Sequence, residues 1–169
     1  MGKIGKIAFI GGGAMGEAII KGILQAKLAA GEDITVSDPS EQRLEYLQKQ
    51  YGLNGTKDNV AAVKNAKTVI LAVKPQMADK AITSTVAKAI AEEAAVVSIM
   101  GSVDLEKLHS LIPGKAIIRV MPNTPLAVGA GMTAIAPDEN AGQEMIETTK
   151  AIFGSCGEVV EVQESAMEA

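Results

Sequence analysis

A chain of 169 residues, 47% hydrophobic and 21% charged, has the length and composition of one ordinary globular domain. Its net charge is −4 and its basic residues are scattered, so the sequence shows no basic surface of the kind that binds nucleic acid. No apolar run approaches the length of a membrane span. A single cysteine, Cys156, cannot form an internal disulfide, which fits a reducing compartment. From these features together we expect a soluble cytoplasmic protein that binds neither nucleic acid nor membrane.

The first elements in chain order are a strand, a glycine turn and a helix. Residues 7–10 are short, apolar and partly β-branched, as in a buried parallel strand, and apolar spacing then predicts a helix over about 14–29. Between them Gly11, Gly13 and Gly16 fit the G-x-G-x-x-G spacing, which in this context indicates a dinucleotide-binding fingerprint. The alternative is a glycine-rich turn that holds no ligand.

Each glycine of the fingerprint has a predicted role. Gly11 permits the tight turn, Gly13 the close approach of a pyrophosphate, and Gly16 the close packing of the helix on the strand. Free N–H groups and the helix dipole favour an anion where the helix begins.

A second strand is predicted over 34–36, and Asp38 stands just past its end. An acid about 20 residues beyond the glycines accepts hydrogen bonds from the adenosine ribose and disfavours a 2′-phosphate. Ser37 and Ser40 suit a phosphate instead, with Arg43 one helical turn further on. Because the segment is also a good helix start, Asp38 has two open interpretations, helix capping and ribose contact.

The remaining elements alternate regularly. After residue 40 we predict helices over 41–51, 59–66, 78–91, 104–111 and 141–153, and strands over 53–56, 67–75, 95–99, 115–121, 132–136 and 157–162. This alternation predicts an α/β fold: a doubly wound, Rossmann-type, mostly parallel sheet with helices on both faces and extra C-terminal strands.

Two segments leave the carboxyl ends of strands, where open parallel sheets bind ligands. The first is 72–75, with Lys74. The second is 119–125, a stiff loop because each of its prolines restricts the preceding residue. Its Asn123 and Thr124 are candidates for contact with a substrate or a nicotinamide, and the alternative is a rigid connector.

The sequence shows no pattern for a metal site. It has one histidine and one cysteine, with no spacing that would gather them. His109 falls near a helix end, where a surface role is more usual than catalysis, and Cys156 is expected to be a small buried strand residue.

Four stretches carry a resemblance to a known family: residues 9–16 (FIGGGAMG), 72–76 (AVKPQ), 97–99 (VSI) with the loop that follows, and 119–125 (RVMPNTP). In order and spacing they resemble the N-terminal domain of pyrroline-5-carboxylate reductase, the last enzyme of proline biosynthesis. The resemblance covers essentially the whole chain, and its specific elements are V-K-P-Q and M-P-N-T-P.

The resemblance implies a hydride transfer from NADP or NAD to a small-molecule substrate, 1-pyrroline-5-carboxylate, and a homo-oligomer. It implies no metal. It places Asn123 and Thr124 near the nicotinamide and the substrate. It assigns coenzyme contacts along the ligand edge of the sheet to Ile10, Gly11, Gly12, Gly13, Ala14, Met15, Gly16, Ser37, Asp38, Asn59, Ala72, Val73, Lys74, Pro75, Met100, Gly101 and Ser102.

The chain departs from the family pattern at two places. Family members usually carry Ala-Ala-Gly or Ala-Gly after the fifth strand, where this chain has residues 100–102, Met-Gly-Ser. They often carry Arg or Ser-Arg after the second strand, where this chain has Asp38. The second departure leaves the choice between NAD and NADP open.

The family continues beyond this domain with a helical domain that pairs subunits, and nothing like its glycine-serine substrate loop occurs here. The resemblance therefore implies that residues 1–162 form an NAD(P)-binding domain and that 163–169 begin a linker. We expect the chain alone to reduce the substrate poorly. Two alternatives are a nucleotide-binding or regulatory module without catalysis, and another imine or β-hydroxyacid reductase built on the same domain.

Overall fold

The computed structural model describes residues 3–122 and 131–167, and its strands form one sheet. The strands are β1 Ile7–Ile10, β2 Ile34–Ser37, β3 Asn54–Thr56, β4 Thr68–Leu71, β5 Ala95–Ser98, β6 Ala116–Pro122, β7 Gly131–Pro137 and β8 Gly157–Glu161. Across the sheet the order is β3-β2-β1-β4-β5-β6-β7-β8.

The first six strands run parallel to one another, β7 is antiparallel to β6, and β8 is parallel to β7. The order reverses between β1 and β4, since β2 and β3 lie on one side and β5 and β6 on the other. The predicted doubly wound, mostly parallel sheet with extra C-terminal strands is thereby confirmed.

Helices cover both faces of the sheet. One face carries α1 Ala14–Gln25, α2 Glu41–Tyr51 and α7 Gln143–Gly154, and the other carries α3 Asn59–Val63, α4 Ala78–Ala81, α5 Ser84–Ala89 and α6 Leu105–Leu111. Short 3₁₀ turns span Gly31–Asp33 and Pro75–Met77, and helix α8, Glu164–Met167, contacts β7.

The core is aliphatic and lies in two layers, one on each face of the sheet. Every residue of β1, β4 and β5 is buried, as expected for parallel strands covered on both sides. The chain's two phenylalanines, Phe9 and Phe153, are fully buried in the layer under α1, α2 and α7. This rigid sheet holds the loops at its carboxyl edge in place.

Three predicted helices have wrong boundaries, and the smallest error is in α3, which ends at Val63 instead of residue 66. The helix predicted over 78–91 is broken into α4 and α5, because Thr83 is extended and its hydroxyl accepts a hydrogen bond from the N–H of Val86, which starts a new helix. Helix α1 ends at Gln25 instead of near residue 29, and Lys27 just beyond takes a positive φ of 57°.

The segment predicted as the start of a linker contains α8. Within it Met167 is 7% exposed, and Glu164 bonds to groups of the sheet and of α6. The boundary predicted at residue 163 stays a prediction. Across residues 3–122 and 131–167, no helix combines the length and the apolar character that crossing a bilayer requires.

Candidate functional site

The glycine turn joins the end of β1 to the start of α1. Gly11 has a φ of +104°, and a Cβ placed on it would lie 2.6 Å from the carbonyl oxygen of Ala72. Its N–H donates to the carbonyl of Ser37 at 2.8 Å. A Cβ on Gly16 would lie 3.3 Å from the carbonyl oxygen of Gly11. The turn therefore packs tightly between β4, β2 and α1, and both glycines are needed for that approach.

Gly13 is different, because a Cβ placed on it would meet nothing within 4 Å among the described atoms. It is the N-cap of α1, with an ordinary extended backbone of φ −77° and ψ −169°. The first N–H groups of a helix have no partner within the helix, and its dipole favours a negative group at that end. The space above Gly13 therefore suits an anion held by backbone donors.

A cleft of about 410 Å³ opens at the carboxyl ends of β1 and β4. This is the position at which the strand order reverses, and open α/β sheets bind their ligands there. The structure brings the following sequence-predicted residues together in its lining: Ile10, Gly11, Gly12, Gly13, Ser37, Asp38, Asn59, Ala72, Val73 and Lys74.

Other predicted site residues lie outside this lining. Ala14, Met15 and Gly16 form the first turn of α1, and Met15 packs against the core. Pro75 is exposed and opens the 3₁₀ turn that follows Lys74. Asn123 and Thr124 fall outside the described residues.

Residues Met100, Gly101 and Ser102 follow β5, one strand further along the same edge. Met100 is 2% exposed, and its side chain packs in the core layer under α3 to α6, so its side chain is not offered to a ligand. Gly101 and Ser102 are exposed. This segment presents backbone and one hydroxyl to the edge.

The cleft also contains residues that the sequence did not single out: Pro39, Lys57, Met77, Lys80 and Ala81. Lys57 follows β3 at the same edge, so the strand-end rule applied to β3 would have found it. Met77 ends the 3₁₀ turn before the predicted helix, and Lys80 and Ala81 lie in α4. Together with Lys74, the two lysines give the cleft a cationic rim that suits phosphate.

Asp38 braces the turn after β2 and also lines the cleft, while its contact with a ribose stays a prediction. Its Oδ1 accepts from the N–H of Ser40 at 2.9 Å, which braces the start of α2, where the Ser40 hydroxyl caps Arg43. Its Oδ2 accepts from the N–H of Gly12 at 2.9 Å, so the carboxylate also faces the glycine turn and lines the cleft. A ribose hydroxyl in the cleft would meet the same carboxylate.

Ser37 and Asn59 join β2 to the opposite wall of the cleft. The buried Ser37 hydroxyl donates to Oδ1 of Asn59, and the Asn59 amide donates to the carbonyl of Ala81 at 3.0 Å. The chain holds both side chains in place through its own hydrogen bonds, so their polar atoms present a preformed surface to a ligand.

A polar cluster supports the glycine turn from the side of α2. Arg43 donates through Nε to the carbonyl of Gly12 and through its terminal nitrogen to Glu17 at 2.7 Å. The carboxylate of Glu17 also accepts from the hydroxyls of Tyr46 and Tyr51. Burial opposes ionisation of Glu17, but the bonds from Tyr51, Tyr46 and Arg43 outweigh it and lower the pKa of Glu17.

Replacing Glu17 with glutamine should lower the free energy of unfolding at pH 7 by about 1–2 kcal/mol, since three hydrogen bonds lose a charged acceptor. The pKa of Glu17 is lowered from 4.5, so its ionised form stabilises the fold above that value, and this stabilisation is lost as pH falls through the folded pKa. Urea unfolding at several pH values should therefore show wild type and variant converging below about pH 4.5.

Glu144 offers a matched control. Its pKa is also lowered, by a bond from Lys67, but the pair lies on the surface with 76% of the Glu144 side chain exposed. Glu144→Gln should leave stability almost unchanged at every pH. A Glu17→Gln variant as stable as Glu144→Gln at pH 7 would show that the cluster contributes nothing.

The remaining titratable candidates lie away from the cleft lining. His109 meets Asp138 at 3.3 Å, and that carboxylate accepts from the N–H of Ile117. Cys156 is 2% exposed, and burial raises the pKa of its thiol, so it is not poised as a nucleophile. In the part of the chain that the structure describes, no group of His, Cys, Asp and Glu is placed to hold a metal ion.

Comparison with known proteins gives one family and a consistent set of relatives. The family model described as NADP oxidoreductase, coenzyme F420-dependent, matches residues 6–102. The chain is 42% identical to the pyrroline-5-carboxylate reductase of Synechocystis sp. over 164 residues, which covers 97% of this chain and 61% of that protein.

Solved structures agree. A pyrroline-5-carboxylate reductase from Coxiella burnetii superposes with a TM-score of 0.92 at 28% identity, covering 97% of this chain and 61% of that one. A pyrroline carboxylate reductase from Plasmodium falciparum with NADP bound gives 0.87 at 27% identity, covering 99% and 61%. The chain thus spans about three fifths of the length of the relatives it matches.

Proposed function

Because the chain belongs to the family described as NADP oxidoreductase, coenzyme F420-dependent, we propose that it is the coenzyme-binding part of a pyrroline-5-carboxylate reductase. When bound, NADPH or NADH would supply a hydride to the ring carbon of the C=N bond of 1-pyrroline-5-carboxylate, and the ring nitrogen would take up a proton from solvent, which gives L-proline. The relatives of that name, from Synechocystis sp. and Coxiella burnetii, support this assignment along almost the whole chain.

The single observation that carries the proposal is the open space at Gly13. It lies at the N-terminus of a 12-residue helix, beside a cleft at the reversal of strand order. A diphosphate fits there because the N–H donors and the helix dipole meet its charge, and because no side chain occupies the position. Gly142, the N-cap of α7, is equally open among the described atoms, but only Gly13 of the two also lines this cleft.

The other residues of the cleft have distinct tasks. Ser37, Asp38 and Asn59 contact the adenosine half, and Ala72, Val73 and Lys74 line the path toward the nicotinamide ribose. Pro75, just outside the lining, continues that path. The backbone of Met100, Gly101 and Ser102 borders the nicotinamide itself. The family resemblance assigns Asn123 and Thr124 to contact with the nicotinamide and the substrate. Orientation of the two reacting faces by these groups is the main contribution that the chain makes to the rate.

Titration of the 169-residue chain with reduced coenzyme, followed by a turnover assay, tests this function. We expect binding of NADH or NADPH but poor reduction of 1-pyrroline-5-carboxylate. No binding of either coenzyme would contradict the assignment, and turnover comparable with that of the Synechocystis reductase would contradict its limitation to coenzyme binding.

The coding sequence beyond residue 169 discriminates the alternatives. A glycine-serine loop followed by helices would support the reductase, and a stop codon would support a binding or regulatory module without catalysis. The homo-oligomeric state and the cytoplasmic location stay predictions.

Asp38 sets the preference between the two coenzymes. Its carboxylate accepts hydrogen bonds from the ribose hydroxyls and repels a 2′-phosphate. Asp38→Ala should therefore raise the affinity for NADPH relative to NADH by about tenfold, which corresponds to one charge-assisted hydrogen bond. Fluorescence titration of both coenzymes measures the ratio.

Thr83→Ala is the control for this ratio, since it removes an N-cap from α5 outside the cleft lining and leaves the acid in place. It should lower stability and leave the coenzyme preference unchanged. An unchanged ratio in Asp38→Ala would restrict Asp38 to bracing the turn.

A further inference from the structure

A buried ion pair lies under the loop that follows β5. Arg119, on β6, has 4% of its side chain exposed, and it donates to the carboxylate of Glu164 at 3.1 Å. Its other terminal nitrogen donates to the carbonyl of Gly101 at 2.6 Å. A buried guanidinium is stable only where its charge is matched, and Glu164 is the carboxylate that the described part of the chain supplies.

Glu164 makes a second contact with the same region. Its Oε2 accepts from the N–H of Leu105, the first residue of α6, at 2.6 Å. Helix α8 is therefore tied at one carboxylate to β6 and to the far end of the loop over 100–104. One carboxylate of α8 therefore bonds both to Arg119, which holds Gly101, and to the residue that ends the loop.

The opposite wall of the loop is held by β5. Ser98, which pairs in register with Arg119, accepts from the N–H of Met100 at 3.2 Å. The N–H of Val103 donates to the carbonyl of Met100 at 3.2 Å. Met100 is thus held from β5, and the carbonyl of Gly101 is bonded to Arg119 of β6.

We propose that Arg119 and Glu164 are positioning residues that fix the 100–102 loop against the nicotinamide half of the coenzyme, and so couple α8 to the reactive end of the site. The inference rests on the proposed function. Arg119 and Glu164 should affect only one half of the coenzyme. The nicotinamide half meets the loop that they hold, whereas the adenosine half meets the glycine turn and β2, which they do not contact.

The test compares NADPH or NADH with ADP-ribose, which lacks the nicotinamide. In Glu164→Gln and in Arg119→Lys, the dissociation constant of the reduced coenzyme should rise about fivefold or more, and that of ADP-ribose should stay within about twofold of wild type. If the two residues only stabilised the fold, the variants would bind both ligands more weakly and by the same factor. The informative readout is therefore the ratio of the two dissociation constants.

The matched control lies at the other end of the same strand region. Lys115, just before β6, is 8% exposed in its side chain and pairs with Glu92 at 3.1 Å. Glu92→Gln makes the same charge change beside a buried cation at the opposite end of β6, and it should leave the dissociation constants of both ligands unchanged.

A second readout avoids any variant that fails to fold. Coupling is reciprocal, so the reduced coenzyme should slow hydrogen exchange of the Leu105 N–H in the unmodified chain, while ADP-ribose should not. Equal effects of the two ligands on Leu105, or parallel loss of both affinities in the variants, would overturn the inference alone. Failure of the unmodified chain to bind reduced coenzyme would overturn the proposed function and this inference with it.

Discussion

Replacing Gly13 with valine should weaken the binding of reduced coenzyme about a hundredfold, while the fold stays nearly as stable as before. The new side chain would fill the open space above the N-terminus of α1 and displace the diphosphate from its donors. Losing two hydrogen bonds to a charged group, at about 1.5 kcal/mol each, corresponds to that factor. Stability should fall by no more than about 1 kcal/mol, because valine is only a poorer N-cap.

Gly142 provides a close control for this variant. It is the N-cap of α7, with φ −78° and ψ 166°, and a Cβ there would also meet nothing within 4 Å. Gly142→Val should cost the same small stability and leave coenzyme titration unchanged. If Gly13→Val bound NADH and NADPH as well as Gly142→Val does, the space above Gly13 would have no role in binding.

Replacing Gly11 with alanine should instead destabilise the whole domain, by about 2–6 kcal/mol in urea unfolding. The residue has a φ of +104°, and its Cβ would lie 2.6 Å and 2.8 Å from the backbone oxygen and carbon of Ala72. Ala72 directly follows the central strand β4 and its N–H is bonded to the carbonyl of Ile10, so its backbone does not move aside at low cost. The expected loss is a large part of the usual stability of a domain, so a fraction of the variant should be unfolded at 37 °C.

Gly52→Ala is the control that separates the cost of a positive φ from the cost of steric contact with neighbouring atoms. Gly52 also has a positive φ, +66°, but a Cβ there would meet nothing within 4 Å. Its cost is the left-handed conformation alone, about 1–2 kcal/mol. A Gly11→Ala variant no less stable than Gly52→Ala would contradict the close approach of the glycine turn to β4.

The predictable part of the fold came from local patterns. Short apolar runs bounded by glycine or proline located β1, β4 and β5, because strands buried on both faces are apolar at every position. The break between α4 and α5 was missed, because the apolar spacing continues through it and the cap at Thr83 is a local feature that competes with that spacing.

The sequence predicted those site residues that directly follow a strand. The glycine turn, Asp38 and residues 72–74 follow strands, so sheet topology alone brings them together. Met77 and Lys80 lie in the 3₁₀ turn and the short helix that follow β4, and the predicted elements did not place them in the cleft. The bonds from Tyr46 and Tyr51 to Glu17 depend on how α2 packs on α1, and residue spacing along one chain does not specify such contacts.

The most direct measurement is a crystal structure of the chain soaked with NADPH or NADH. The account predicts a diphosphate against the glycine turn, within hydrogen-bond reach of N–H groups at the start of α1 and above Gly13. Coenzyme density elsewhere, or an empty cleft at saturating coenzyme, would contradict it.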